Sequence, residues 1–391
     1  MGEQRYDTWQ AEPVRRRPNY LAAAGTKAGY DRRGGRELAA PTSTRPAAGR
    51  YSLAQRAAAG RVKVRPGAVG PGAVGPGAVE PGAVEPHRGA LPVKTPPIYS
   101  MKRILLTGAT GNVGREVLRA LHARGGAEVE VRAGVRDVAR GAAALSACPG
   151  VQLVPFDFAD PATYAPALAG CESLFLLRPP QVTDAFGALI TQARRAGVRH
   201  IVFLSVQGAE HNRFIPHHQT ERLLRASGVP YTFLRPAYFM QNFTTTLRDD
   251  LVRRHRIFLP AGRARFTLID VRDIGEVAAV VLTEPGARHH GRAYVLTAQY
   301  RLTFQQMADQ LSAGLGTPIS YVSPSPWTFF WTKKREGLAP GFLLIMTLLH
   351  YLPRFSAAPP LSPAVAELLG RPPIEFRQFV ADNRAALLGG S

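Results

Sequence analysis

From Met101 onward the chain alternates short apolar runs with stretches whose apolar residues recur at helical spacing. The runs are "RILLT", "EVEVRAGVRD" (128–137), "VQLVPFDFAD", "SLFLLRPP" and "HIVFLSV", the last running up to Ser205. Each is short and nearly continuous in apolar residues, the signature of a strand buried on both faces of a parallel sheet. After the first run, Val113, Val117, Leu118 and Leu121 form one stripe of a helix. A second helix is predicted over residues 184–196, with Gly197 as its C′ residue. Strands alternating with helices predict an α/β fold with a doubly wound parallel sheet. Further on, "RLTFQQMADQLSAGLG" predicts a helix opened by a capping box of Thr303 and Gln306 and closed at Gly316.

The pattern is missing from residues 1–100. Residues 66–85 instead repeat a five-residue unit, PGAVG or PGAVE, with no aromatic to build a core. Pro-Gly pairs favour isolated turns. The segment is expected to be a disordered, low-complexity tail. Because "MKRILLTGATGNVG" places a complete first strand directly after Met101, a further expectation is that Met101 is the true start and residues 1–100 come from an over-long gene model. The alternative is a genuine basic tail.

Charge divides at the same place. Residues 1–100 carry +9 and residues 101–391 carry +12 of the net +21. The arginines of the second part are scattered rather than gathered in a stripe, so a nucleic-acid face is not expected; a cationic surface would help a small anion approach. Two cysteines, Cys148 and Cys171, make neither a disulfide framework nor a zinc pattern, and a reducing cytoplasm is the expected compartment. The longest apolar run, "FLLIMTLLHYL" (342–352), contains Thr347 and His350 and is too short for a membrane span. The first residues lack the apolar core of a secretory signal.

The candidate chemistry begins where the first run ends. Gly108, Gly111 and Gly114 follow it at G-x-x-G-x-x-G spacing and open the first helix. That context fits a dinucleotide-binding turn: Gly108 for the tight turn, Gly111 for backbone approach to a pyrophosphate, Gly114 for close helix–strand packing. Thr110, Asn112 and Val113 complete the loop and the first helical turn, whose free N–H groups suit phosphate oxygens. Arg136, at the end of the second strand, suits the 2′-phosphate of NADP, although Asp137 beside it leaves an NAD-type acid in play. Asp157, at the end of the third strand, is a candidate for the adenine amino group or a turn cap, and Arg178, at the end of the fourth, belongs to the same carboxyl edge.

The motifs "LLTGATGNVG", "VRAGVRD", "FDFAD", "IVFLSVQGAE", "HHQTERLLRASGVPYTFLRPAYFMQNF", "LIDVRDIGEVAAVVL" and "LLGRPPIEFRQFVADN" occur in this order. Together they resemble the NmrA-like group of atypical short-chain dehydrogenases, which includes bacterial NAD(P)H:quinone oxidoreductase-like proteins. The resemblance covers residues 101–391. It implies a Rossmann domain, NADP(H) or NAD(H) as cofactor, and a small C-terminal α/β substrate lobe mainly within residues 240–391. Some members reduce quinone-like or enone-like molecules, while others bind dinucleotide without turnover and act as redox sensors through a protein partner.

At the positions of the Tyr-x-x-x-Lys pair of ordinary short-chain dehydrogenases, this chain resembles neither residue: Arg213 and His217 stand there. His217 is then the candidate proton donor, since imidazole titrates near neutrality. The neighbouring "HH" pair has no further ligand at metal spacing, so no metal site is expected. Ser205 is a second catalytic candidate, from the small hydroxyl residue the resemblance places there. Pro236 is expected beside the nicotinamide, with Tyr238 and Phe239 as substrate wall. The segment "WTFFWTKKR" keeps two readings: a wall for a flat apolar substrate, or a peripheral membrane patch. The reading as a whole is a cytoplasmic NADPH-dependent reductase of a quinone-like or enone-like small molecule, with the non-catalytic sensor as alternative and an isomerase disfavoured by the missing Tyr.

Overall fold

The computed structural model describes residues 101–148, 150–178 and 185–390. The expectations for residues 1–100 and for the start of the helix at 184 lie outside these residues. Strands and helices alternate through the first half: β1 (Lys102–Thr107), α1 (Asn112–Gly125), β2 (Val129–Val135), α2 (Val138–Ala144), β3 (Gln152–Pro155), α3 (Tyr164–Leu168), β4 (Ser173–Leu177), α4 (Ala185–Arg195), β5 (His200–Leu204), α5 (Pro216–Ala226) and β6 (Tyr231–Pro236). The second strand stops two residues earlier than its apolar pattern suggests, because Asp137 turns its carboxylate onto the Arg140 N–H and caps α2.

The chain then leaves the sheet through β7 (Tyr238–Phe239), α6 (Arg248–Arg254), β8 (Arg256–Phe258) and β9 (Arg265–Ile269). It returns through α7 (Val271–Thr283) and β10 (Arg292–Leu296). The remainder is β11 (Arg301–Thr303), α8 (Phe304–Leu315), β12 (Ser320–Val322), α9 (Pro326–Arg335), α10 (Pro340–Tyr351), α11 (Ala364–Leu369), α12 (Phe376–Asp382) and α13 (Arg384–Leu387). Helix α8 has the expected capping box and ends on Gly316 in the left-handed region.

Seven parallel strands form the central sheet in the order β10-β6-β5-β4-β1-β2-β3. The direction of winding reverses between β1 and β4, which is where an open α/β sheet leaves a crevice at its carboxyl edge. Both faces are covered. Val113, Val117, Leu118 and Leu121 of α1 join Ile274, Val277 and Val281 of α7 on one side. Phe186 and Leu189 of α4 join Tyr164 and Leu224 on the other. On the first side α1 and α7 touch backbone to backbone: a Cβ on Gly275 would stand 2.6 Å from the Glu116 carbonyl carbon.

A second core lies within residues 240–387, built on Phe243, Phe304, Leu311, Phe329, Phe376 and Phe379. Two small sheets frame it, β11-β9-β7 and β12-β8. The division is not a clean cut in sequence. Ile269 closes lobe strand β9, Asp270 caps the next helix, and Val271 begins α7 of the Rossmann layer.

Candidate active site

The loop after β1 has the geometry its glycines suggest. Gly108 takes φ +66°, where a side chain is strained, and its carbonyl accepts the Gly111 N–H at 3.1 Å. Gly111 is the N-cap of α1 and offers no side-chain acceptor, so the first amides of the helix stay available to a ligand. A Cβ at Gly114 would meet the Gly108 carbonyl oxygen at 2.1 Å, which ties the helix to the loop. Thr110, Asn112 and Val113 lie in this turn; Val113 is buried beneath it and the other two are exposed.

Around the loop stand the other carboxyl-edge residues. Arg136 is exposed immediately after β2. Asp137, the competing acid, caps α2 with one oxygen and is likewise exposed. Asp157 directs one carboxylate oxygen to the Ala159 N–H at 2.9 Å and so holds a local turn, the capping role among its two expected readings. Arg178, just beyond β4, lies with its guanidinium 5.4 Å from the Phe186 ring centre, and burial lowers its pKa.

His217 sits in the first turn of α5, partly buried and 6.0 Å from the Phe203 ring. Burial, aided by the nearby Arg178 charge and opposed by Glu221, pushes its imidazole down to about 4. The expectation of titration near neutrality is corrected by this environment: at physiological pH the ring is neutral. Its Nδ1 is buried and has no hydrogen-bond partner among the described residues. His218, by contrast, donates Nδ1–H to the Ala209 carbonyl at 2.7 Å and is structural. Arg213 lies exposed in the turn before α5.

Ser205 is placed differently from its expected role. It is buried just past β5 and donates its hydroxyl to Glu221 Oε1 at 2.7 Å. Glu221 is fully buried and receives both arms of the Arg235 guanidinium, at 2.9 and 2.7 Å, while Arg225 adds a bond at 2.9 Å. Burial alone would raise this carboxyl; the bonds from Arg235 and Ser205 and the charges of Arg235 and Arg225 outweigh it and hold the pKa below the usual range. The cluster ties α5 to the carboxyl ends of β5 and β6. Sequence reading missed Glu221, because its partner Arg235 lies fourteen positions away and the pair has no spacing signature.

Two residues later, Gln207 performs a second joining role. Its backbone N–H donates to Pro236 O at 3.0 Å, its side-chain amide to Pro360 O at 2.9 Å, and its carbonyl accepts from Thr267 at 2.6 Å. Pro236 thus stays at the carboxyl edge, as the last residue of β6. Tyr238 and Phe239 diverge from there. Tyr238 packs edge-on against Phe266, Phe304 and His350 in the lobe, and Phe239 packs against the Rossmann core. His350 donates Nδ1–H to Met346 O at 2.7 Å, so Nε2 is the acceptor for the Tyr238 hydroxyl at 3.2 Å.

Neither reading of "WTFFWTKKR" holds for the whole segment. Phe329 is buried against Phe258, and Lys333 is buried in an ion pair with Asp250, which also binds Arg254 and Arg256. Trp327 alone of the four aromatics is largely exposed. Among the described residues no cluster suited to a metal ion occurs.

Residues 100–330 match the NmrA-like family. The chain belongs to it. An NAD(P)H azoreductase from Xenophilus azovorans is 32% identical over 299 residues, covering 72% of this chain and 98% of that protein. A (4-alkanoyl-5-oxo-2,5-dihydrofuran-3-yl)methyl phosphate reductase from Streptomyces griseus is 33% identical over 291 residues, covering 72% and 98%. Among solved structures, an NADPH-dependent quinone oxidoreductase from Escherichia coli in complex with NADPH aligns with TM-score 0.62 and 26% identity, covering 71% of this chain and 99% of that one. Three features lie at carboxyl ends of strands of the central sheet or just beyond them: the uncapped start of α1 after β1, Arg136 after β2, and His217 in the first turn of α5 with its buried Nδ1.

Proposed function

We propose that the protein is an NADPH-dependent reductase that delivers hydride to a quinone-like or enone-like small molecule. The observation that carries this reading is the turn between β1 and α1, where Gly108 and Gly114 hold an uncapped helix N-terminus at the β1/β4 switch point beside Arg136. The Gly111–Gly114 amides would hold the pyrophosphate, Arg136 the 2′-phosphate and Asp157 the adenine, with Pro236 at the nicotinamide end. NADPH supplies the hydride. The names of the relatives are consistent with conjugated acceptors, since azo compounds, quinones and an oxo-dihydrofuran are all unsaturated electrophiles.

The chain's own residues favour an acceptor of this kind over an alcohol substrate. Alcohol oxidation needs a base to remove a hydroxyl proton. His217 stands where the resemblance seeks such a group, but its environment keeps it neutral and feebly basic. A neutral imidazole can donate a hydrogen bond that orients an acceptor oxygen, while the proton that completes the reduction comes from solvent. Glu221, closed in by Arg235 and Ser205, fixes α5 and so the position of His217.

The test is NADPH oxidation by the full chain against a panel of quinones and conjugated enones, with Arg136→Ala beside it. Saturable oxidation is expected. The variant should raise KM for NADPH by roughly tenfold or more, the value of a lost charge-assisted bond, and leave KM for NADH nearly unchanged. Tight NADPH binding without oxidation of any acceptor would move the assignment to a non-catalytic sensor.

A further inference from the structure

Helix α10 is apolar on two sides. Leu343, Met346 and His350 face the lobe and are buried. Phe342, Leu344, Ile345, Leu348 and Leu349 face outward, each between 45% and 60% exposed. The outer face continues past the helix through Leu352 and Phe355, the latter 71% exposed. A helix that is apolar all round is normally covered on every side, and an exposed apolar patch of this extent marks an interaction surface.

The segment that carries this face holds no acidic residue. From Gly337 to Ala366 the sequence has no Asp or Glu. The segment after α10 forms one wall of a cleft of about 800 Å³, whose lining holds Arg263, Arg265 and Arg354 and no carboxylate. Arg354 stacks 5.1 Å from the Tyr351 ring, and Tyr351 meets Phe355 at 5.2 Å. The cationic cleft and the apolar ledge are therefore joined side by side. Lys334 and Arg335 lie exposed at the end of α9, which packs against α10, and the adjoining Glu336 is paired with Lys333 and Arg254.

We propose that α10 and the segment following it are a peripheral membrane-docking surface: the helix lies in the plane of an anionic bilayer, its outer side chains enter the acyl boundary, and the Arg263–Arg265–Arg354 cleft receives lipid phosphates. At 12 residues the helix is roughly 18 Å long, too short to cross a bilayer but suited to lying in its interface. The charge pattern selects this occupant over a second copy of the chain. Two copies meeting through this face would oppose the same arginines with no carboxylate between them, whereas anionic lipid supplies the missing charge. The proposal does not depend on the reductase reading.

Sedimentation of the full chain with vesicles tests it, using phosphatidylcholine alone or mixed with phosphatidylglycerol. Residues 1–100 carry +9 and can attract anionic lipid unaided. The comparison is therefore with Ile345→Glu/Leu349→Glu, which leaves those residues untouched. The variant should bind mixed vesicles at least ~10-fold more weakly, from the loss of two apolar side chains at the acyl boundary. In 1 M salt, where screening falls to about 3 Å, the unaltered protein should keep a fraction of its binding that the variant lacks. A thermal melt checks that the variant folds, and Ile345→Ser/Leu349→Ser replaces it if it does not. Equal binding by both proteins overturns the proposal and assigns attraction to the basic N-terminal residues. Absence of vesicle binding, with a dimer that the variant dissociates in sedimentation velocity, overturns it in favour of a second copy.

Discussion

Gly114 packs so tightly beneath Gly108 that a methyl group on it would stand 2.1 Å from the Gly108 carbonyl oxygen. The obstacle is backbone, which cannot rotate aside, so Gly114→Ala must push α1 away from the loop it caps. The expected cost is about 1–3 kcal/mol, the range for overpacking a tight contact. NADPH affinity should fall with it, because the helix amides move. Fluorescence titration with NADPH and a thermal melt read the two effects together. If affinity and melting temperature are both retained, this contact does not shape the cofactor turn.

Ser205 and Glu221 separate structural from chemical roles. Ser205→Ala removes one donor from a carboxylate that keeps Arg235 and Arg225. It should cost about 1 kcal/mol of stability and change kcat for acceptor reduction less than threefold. Glu221→Gln leaves the buried Arg235 with Glu210, at 3.4 Å, as its remaining carboxylate and should cost about 3 kcal/mol. A loss of a hundredfold in kcat for Ser205→Ala, without a matching loss of stability, would instead make the hydroxyl a direct participant.

Acid should weaken the fold through its buried histidines. His350 is 2% exposed, and burial pushes its imidazole from 6.5 down to about 4. The unfolded chain therefore takes up a proton on this residue at a pH where the folded chain does not. Its stabilising contribution is complete above about pH 6.5 and is lost as pH falls towards about 4. His350 accounts for up to ~3 kcal/mol of that fall, at about 1.4 kcal/mol per pKa unit. The melting temperature of His350→Gln should be lower at pH 7.5 and should decline less steeply between pH 6.5 and 4.5. An unchanged slope would place the acid sensitivity elsewhere, with His200 the next group to substitute.

Lys333 is buried with Asp250 as its partner and Glu336 at 2.7 Å. Burial alone would raise the Asp250 carboxyl; hydrogen bonds from Lys333 and Arg254 hold it below the usual range. Lys333→Met should destabilise by about 3 kcal/mol, since one ionic partner of a buried group is removed. Lys334→Met, three-dimensionally outside this pair, should stay within about 0.5 kcal/mol. Denaturant melts of the two variants make the comparison, and similar losses would dissolve the distinction between them.

These positions show what the sequence makes visible. The β1–α1 turn was legible because its chemistry is local: strand, glycines and helix follow one another and need no distant partner. The parallel sheet was legible for the same reason, since each strand is a continuous apolar run. The end of β2 was not, because Asp137 serves as a cap and the apolar pattern runs past it. Segment 327–335 misled more deeply. Its outward positions are as aromatic as its inward ones, so no periodicity marks Phe329 and Lys333 as the buried pair. Lys333 is fixed by Asp250, 83 positions earlier. The neutrality of His217 likewise comes from tertiary burial and from Arg178, neither of which a spacing rule can see.

Helix α7 is both the backing of the nucleotide-binding helix and the anchor of the C-terminal segment. Gly275 lets it seat on Glu116 of α1. Its cap Asp270 accepts from Gln241 at 2.9 Å, Arg272 reaches Asp382 at 2.7 Å, and buried Asp273 takes Arg371 and the Ile374 N–H, both at 2.8 Å. A two-lobed enzyme of the clamshell kind needs a pliant crossing between its halves. This crossing is a helix entered straight from β9 and tied through its cap and first turn to the C-terminal segment. The two cores are thereby geared to a single shaft, so a swing of one half against the other would have to break the Asp273–Arg371 and Arg272–Asp382 bonds first.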